Sequence, residues 1–339
     1  MKDQDVSDVV RTKKRTAMRY IGIDVSKATF VVAYSSDKGG EIRTFNNTTA
    51  GIRQFIGTLP KDGSIHCVME ATGNYSALLL YMLNVAGITV SMENPLKVKN
   101  FAKAMLSTIK TDKSDARLIT LYGEKMNPRP FKVQGEAILR LRQKRTVIRQ
   151  LTKQITAMSN LRGSLACLPV PDKGATHTVD ETIKFLEKKR DRLQSELTDL
   201  VEVEFSRQLA LLTTIKGIGI TLATALILTT GGFTYFQNAK QVSRYLGICP
   251  TYEQSGTSVN IKGHINRNGD AYTRGLLYIA AWPASRFNAQ CKETYTRLRQ
   301  NGKSGKLAMI AVANKLVRQA FAVVAHDKEY VDGFVSNRP

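Results

Sequence analysis

Cysteine is sparse and scattered in this chain. Cys67, Cys167, Cys249 and Cys291 form no C-x-x-C pair, and His66, His177, His264 and His326 show no ligand spacing. That pattern excludes a zinc ribbon and a disulfide framework, and it points to a reducing cytoplasm. No apolar run reaches the roughly 18–20 residues of a transmembrane helix, so no membrane partner is expected. Residues 1–18 hold Lys13, Lys14 and Arg15 with no apolar stretch behind them, and read as a loose basic arm, not a secretory signal. Acid is scarce too: 28 Asp and Glu face 50 Lys and Arg, a net charge of +22. An excess of that size points beyond solubility to a polyanionic partner, most simply nucleic acid.

What is present is a globular composition, 42% hydrophobic over 339 residues, enough for two domains. Because acid is scarce, its placement is informative. Tyr20-Ile21-Gly22-Ile23 is an uncharged apolar run, the mark of a strand covered on both faces, and Asp24 ends it. Further strands are predicted over 28–35, 41–46, 64–69 and 88–92, with a hairpin turn at 37–40 and helices over 50–59, 75–85 and 97–106. The succession β-β-β-α-β-α-β-α across residues 19–128 is that of an α/β ribonuclease-H-like (RuvC-like) domain. In that fold the first strand is central and the fourth lies beside it. Asp24 and Glu70 then fall at neighbouring strand ends. Asp112 and Asp115, three apart, share one face of a helix start. Asp112 alone would read as a helix cap. Four acids at element ends suggest instead a site for Mg²⁺, where hard oxygen ligands hold two ions that clamp a phosphodiester displacement.

Composition changes at Pro128-Arg129-Pro130. Residues 129–206 read as a helical, coiled-coil middle segment with heptads Leu141, Ile148, Ile155 and Ile183, Leu186, Leu193, Leu197. A capping box at Thr178–Glu181 is predicted to open its second helix. Residues 137–171 contain seven Lys and Arg and no acid. Arg140, Arg142, Lys144, Arg145 and Arg149 are therefore candidate nucleic-acid contacts. Residues 207–328 read as a mainly α-helical domain. Ile215-Lys216-Gly217-Ile218-Gly219 is its helix-hairpin-helix turn, with Lys216, Gly217 and Gly219 facing a phosphate. Residues 249–269 are polar and Gly-rich, a long loop without structure of its own, the kind that carries function. It holds Ser255 and Ser258, and Lys262 and Arg267 as further contacts. Residues 329–339 read as a loose tail.

With these motifs quoted, the chain resembles the IS110 family of insertion-sequence transposases, which includes Piv-like DNA invertases and bridge-RNA-guided recombinases. G-I-D-V-S-K at 22–27, M-E-A-T-G at 69–73 and K-T-D-x-x-D-A at 110–116 match the family's Asp-Glu-Asp-Asp tetrad in order and spacing. I-x-G-I-G, Y-L-G at 245–247, S-G at 255–256 and the I-x-x-x-G-D run to 270 match its C-terminal domain. The resemblance implies a transposase or site-specific recombinase that cleaves DNA with Mg²⁺ at Asp24, Glu70, Asp112 and Asp115. It also implies a catalytic serine, carried over to Ser255, that forms a phosphoserine link, and a noncoding guide RNA that selects sites. Family members often have a second serine just before that one; here Gln254 stands there and Ser258 follows. A homo-oligomer, dimer or tetramer, is expected. Two other readings stand beside it: a junction-resolving nuclease that needs the tetrad but no serine, and a non-catalytic nucleic-acid-binding protein.

Overall fold

The apolar run around Gly22 forms strand β1 (Arg19–Val25), and it lies at the centre of a five-stranded sheet in the computed structural model. The structure describes residues 18–35, 40–106, 111–131, 135–250, 253–255, 259–261, 265–266 and 269–333. The chain divides into two compact units, Met1–Val133 and Gln134–Pro339.

In the first unit, β2 (Thr29–Ala33) and β3 (Ile42–Asn46) continue antiparallel from β1, while β4 (Ile65–Glu70) and β5 (Thr89–Glu93) lie parallel on its other side. The order is β3-β2-β1-β4-β5, with β1 central and β4 beside it as the succession predicted. Residues 36–39 of the hairpin turn lie outside the described residues. On one face Ile21, Ile23, Cys67 and Met69 bury against Ile52 and Phe55 of α1 (Thr49–Gly57) and Leu79 and Leu83 of α2 (Ala77–Val85). On the other, Tyr20 and Val68 bury against Val98 of α3 (Pro95–Ala104) and Ile119 and Tyr122 of α4 (Asp112–Met126).

Helix α4 runs antiparallel along β1, unusually close. A Cβ on Gly22 would lie 2.2 Å from the Ala116 carbonyl oxygen and 2.3 Å from the Thr120 nitrogen. The gap is bridged by hydrogen bonds. The Gly22 N–H donates to Thr120 Oγ1 at 2.9 Å, and the Thr120 hydroxyl donates to the Ala33 carbonyl at 2.9 Å. At the far end the Tyr20 hydroxyl donates to Asn127 Oδ1 at 2.5 Å.

The second unit is helical. α5 (Glu136–Ala166) and α6 (Lys173–Glu204) form the predicted hairpin, with Ile155, Val179 and Ile183 as its distal core. Its root is no separate segment: Ile138, Leu141, Leu197 and Val201 share one core with the helices that follow. These are α7 (Ser206–Thr213), α8 (Ile220–Thr230), α9 (Ala239–Tyr245), α10 (Ala271–Phe287), α11 (Ala289–Gln300) and α12 (Gly305–Ala325). α12 is long and apolar enough to cross a membrane by composition, contrary to the sequence reading. Ala308, Val312, Leu316 and Ala320 on it are fully buried, so it serves as a core helix.

Three more expectations need correction. α6 starts ahead of the capping box, because Asp172 caps it by accepting from the Ala175 N–H at 2.6 Å; Thr178 lies inside the helix. The 249–269 loop has structure of its own: β6 (Glu253–Ser255) pairs antiparallel with β7 (Val259–Ile261), and Pro250 bridges to Ile265. The start of the tail is fastened, since Tyr330 N–H donates to Thr214 Oγ1 at 3.0 Å and Lys216 pairs with Asp332 at 2.8 Å.

Two glycines test this account. Gly22→Ala should push α4 off β1 and lower the stability of the first unit by about 1–3 kcal/mol or more. Gly163→Ala, in open space on α5, should stabilise by about 0.4–1 kcal/mol. Thermal melting of the two variants beside the parent checks both signs.

Candidate functional site

The sheet register sets three acids in one row. Ile23 aligns with Met69 and Met69 with Met92, so Asp24, Glu70 and Glu93 follow in one row at the C-terminal ends of β1, β4 and β5. All three are on the α4 side, since their neighbours Ile23 and Met69 face the opposite core. Thr111 caps α4 in a capping box with Ser114, which puts Asp112 and Asp115 in its first turn. The close packing at Gly22 and Ala116 then holds that turn over the end of β1. Asp112, read alone as a cap in the sequence, is thus freed from capping.

The electrostatics report this gathering. The Asp24 carboxyl is pushed up to about 6, first by burial and then by the negative charges of Asp115, Asp112 and Glu70; a hydrogen bond from the Val25 backbone opposes the shift. Among the described residues no three acids converge into a preformed ligand cluster. The donor set still fits a hard divalent cation: four carboxylates, all oxygen, whose mutual repulsion a cation would relieve. Buried Cys67 and Cys291 have thiols pushed up to about 12 by desolvation and do not serve as nucleophiles.

Glu93 was missed in the sequence. It is buried and pairs with Lys97 of α3 at 2.7 Å. The signal was available, because Ser91-Met92-Glu93 repeats Val68-Met69-Glu70 at the end of the adjacent strand.

The basic residues of α5 are engaged within the second unit. Arg142 donates to the carbonyls of Leu228 at 2.7 Å and Thr229 at 2.9 Å, satisfying the C-terminus of α8. Arg145 donates to Thr229 Oγ1 at 2.8 Å, Lys144 pairs with Glu196, and Arg140 pairs with Glu136 one turn away. Arg149 meets Asp270 at 3.1 Å and lies over the Tyr272 ring at 5.4 Å. Asp270, at the N-cap of α10, is the hub. Burial disfavours its charge, yet bonds from Thr273 and the charges of Arg145 and Arg149 hold its carboxyl below the usual range.

In the α7–α8 turn, Gly217 has φ +106° and a Cβ there would lie 2.7 Å from that of Ala284, so its glycine serves helix packing. Gly219 is the N-cap of α8 and faces open space. Lys216 is paired with Asp332. Ser255 ends β6, opposite Val259. Ser258, Lys262 and Arg267 lie outside the described residues.

Two family models match the chain, and the first runs past the unit boundary through α5. A transposase family model of the DEDD IS110 type matches residues 21–166, and a model for the Transposase IS116/IS110/IS902 family matches residues 209–296. The pilin gene-inverting protein of Moraxella bovis is 28% identical over 323 residues, covering 92% of this chain and 97% of that protein. That of Moraxella lacunata is equally similar over the same span. A probable family 20 transposase of Pseudomonas aeruginosa is 24% identical, over 92% of this chain and 98% of its own length.

The Asp24 shift has a consequence for stability. A carboxyl whose folded pKa lies above its unfolded value of 3.8 binds its proton more tightly when folded, so its contribution is present below pH 3.8 and is lost as pH rises through about 6. Asp24→Asn should therefore raise the melting temperature of metal-free protein at pH 7 and flatten its fall between pH 4 and 6. Mg²⁺ should raise the melting temperature of the parent more than that of the variant.

Proposed function

Because the chain belongs to the IS110 family of transposases and DNA-inverting recombinases, we propose that it cuts and rejoins DNA strands of an insertion sequence. Asp24, Glu70, Asp112 and Asp115 are assigned the metal site of a ribonuclease-H-like unit, and Ser255 the covalent link to DNA. The observation that carries the metal assignment is the raised Asp24, driven first by burial and then by the other three acids. Bound there, Mg²⁺ would polarise the phosphodiester and neutralise charge on its oxygens.

The chain's own residues divide the remaining tasks. The first turn of α4 presents Asp112 and Asp115 at a helix N-terminus, where the dipole is positive. Lys97 holds Glu93 in place beside Glu70. In the second unit the Ser255 hydroxyl bonds to phosphorus as the bond to the leaving sugar oxygen breaks, and the phosphoserine conserves the phosphodiester's energy for rejoining. The open N-terminus of α8, after Gly219, offers backbone N–H groups to a DNA phosphate in the manner of a helix-hairpin-helix. A noncoding guide RNA and a homo-oligomer complete the proposal, which places the protein in the cytoplasm with its DNA. The net charge of +22 suits both nucleic-acid partners.

The test uses labelled element-end DNA with Mg²⁺. Asp24→Asn, Glu70→Gln, Asp112→Asn and Asp115→Asn should each abolish strand cleavage while DNA binding persists. Ser255→Ala should remove the covalent protein–DNA adduct, and Ser258→Ala should leave most of it. Cleavage near the parent rate in the Asp24 or Glu70 variant overturns the metal site. An adduct mapped to Ser258 or Tyr252 moves the nucleophile.

A further inference from the structure

Helix α10 buries one face and leaves a second, apolar face in solvent. Thr273, Leu277, Ala280, Ala281 and Ala284 pack into the core. Tyr272, Ile279, Trp282 and Phe287 are exposed at 39%, 65%, 49% and 67%. At about 100° per residue Tyr272, Ile279 and Arg286 lie within about 40° of one another, and Trp282 and Phe287 flank them across about 140° of the helix, a stripe of about 22 Å. Single exposed apolar residues are ordinary, but four on one helical face form a patch. Arg286 and the flat ring of Pro283 are exposed on the same side, and residues 271–287 contain no acid. Arg149 lies over the Tyr272 ring, so the first aromatic is held in place.

We propose that this stripe, Tyr272, Ile279, Trp282, Arg286 and Phe287, is a stacking platform for the unpaired bases of a single nucleic-acid strand. Aromatic and guanidinium planes are what exposed bases stack on, without regard to sequence. Charge selects this occupant over a second copy of the chain. A second copy meeting the stripe through its own α10 would bring no acid to Arg286, since residues 271–287 hold none, whereas a strand supplies negative charge to a molecule of net charge +22.

Location supports the same occupant. At its C-terminal half α10 is gripped by Gly217 of the α7–α8 turn, against Ala280 and Ala284. At its N-terminal end Gly269 is wedged against the Tyr245 and Leu246 backbone, and Arg274 donates to the Gly269 carbonyl at 2.6 Å. Gly269 is the base of the segment that carries Ser255. The stripe thus runs from the serine segment toward the turn assigned to phosphate, where a strand opened for exchange exposes its bases. The inference rests on nucleic acid being the partner; it requires neither a metal at the acids nor Ser255 as nucleophile.

Trp282 is the single tryptophan of the chain, so its fluorescence reads the stripe directly. Metal-free protein at low salt is titrated with oligothymidine, oligouridine and a blunt duplex, with binding followed in parallel by anisotropy of the labelled strand. Single strands should quench Trp282 more than the duplex does. Trp282→Ala and Phe287→Ala should each weaken single-strand affinity about five- to a hundredfold, with duplex affinity unchanged. Trp282→Phe should stay near the parent. Quenching by oligothymidine alone assigns the strand to DNA, by oligouridine alone to RNA. Unchanged single-strand affinity in Trp282→Ala overturns the proposal. So does a Trp282 signal that changes with protein concentration in the absence of nucleic acid, which would make the stripe a contact between copies. Asp24→Asn, carried through the same titration, should quench as the parent does, so failure of the catalytic reading and failure of this one are told apart.

Discussion

The contact of Gly22 with the Ala116–Thr120 backbone governs the first unit. A side chain on Gly22 would occupy the position of the helix backbone itself, so glycine there is a condition for α4 to lie on β1 at this distance. Asp24 and Asp115 are each next to that contact, two residues and one residue away along the chain. Backbone close-packing therefore fixes the separation between a strand acid and a helix acid more firmly than flexible side chains could. Thr120 adds direction, tying α4 to both β1 and the end of β2.

Much of this was legible in the sequence because it rests on short-range pattern. Uncharged runs gave the buried strands, and acids at the ends of those runs gave the row of carboxylates. Glu93 escaped because a lone Glu before Asn-Pro reads as a turn until the strand register sets it beside Glu70. α11 leaves little trace in sequence, because Ala-Gln-Cys-Lys-Glu-Thr-Tyr has almost no apolar period; tertiary packing of Cys291 and Tyr295 holds it instead. The β6–β7 ladder is three residues on each side, too short to leave an alternation in the sequence.

The run of cations on α5 shows a different limit. A helix with seven Lys and Arg and no acid in residues 137–171 reads as a nucleic-acid surface, yet Arg142 and Arg145 point at the C-terminus of α8. A guanidinium there satisfies carbonyls that the helix leaves orphaned and opposes the negative end of its dipole. Sequence counts charge but does not say which charges face inward. The exposed stripe of α10 is the converse case, where residue types that usually mark a core lie in solvent.

A protein of net charge +22 should repel the cation its acids are assigned to hold. The resolution is distance and medium. Charges beyond about 10 Å in water are screened at ordinary ionic strength, while groups gathered at a partly buried sheet end interact through protein. Asp24 registers its local surroundings, since burial and then three neighbouring acids raise its proton affinity despite 50 basic residues elsewhere. The same separation of scales lets one chain attract a polyanion over its surface and concentrate negative charge at a single point. Bringing phosphate to that point then requires a counter-charge held by the acids themselves, which couples cation binding to productive binding of the strand.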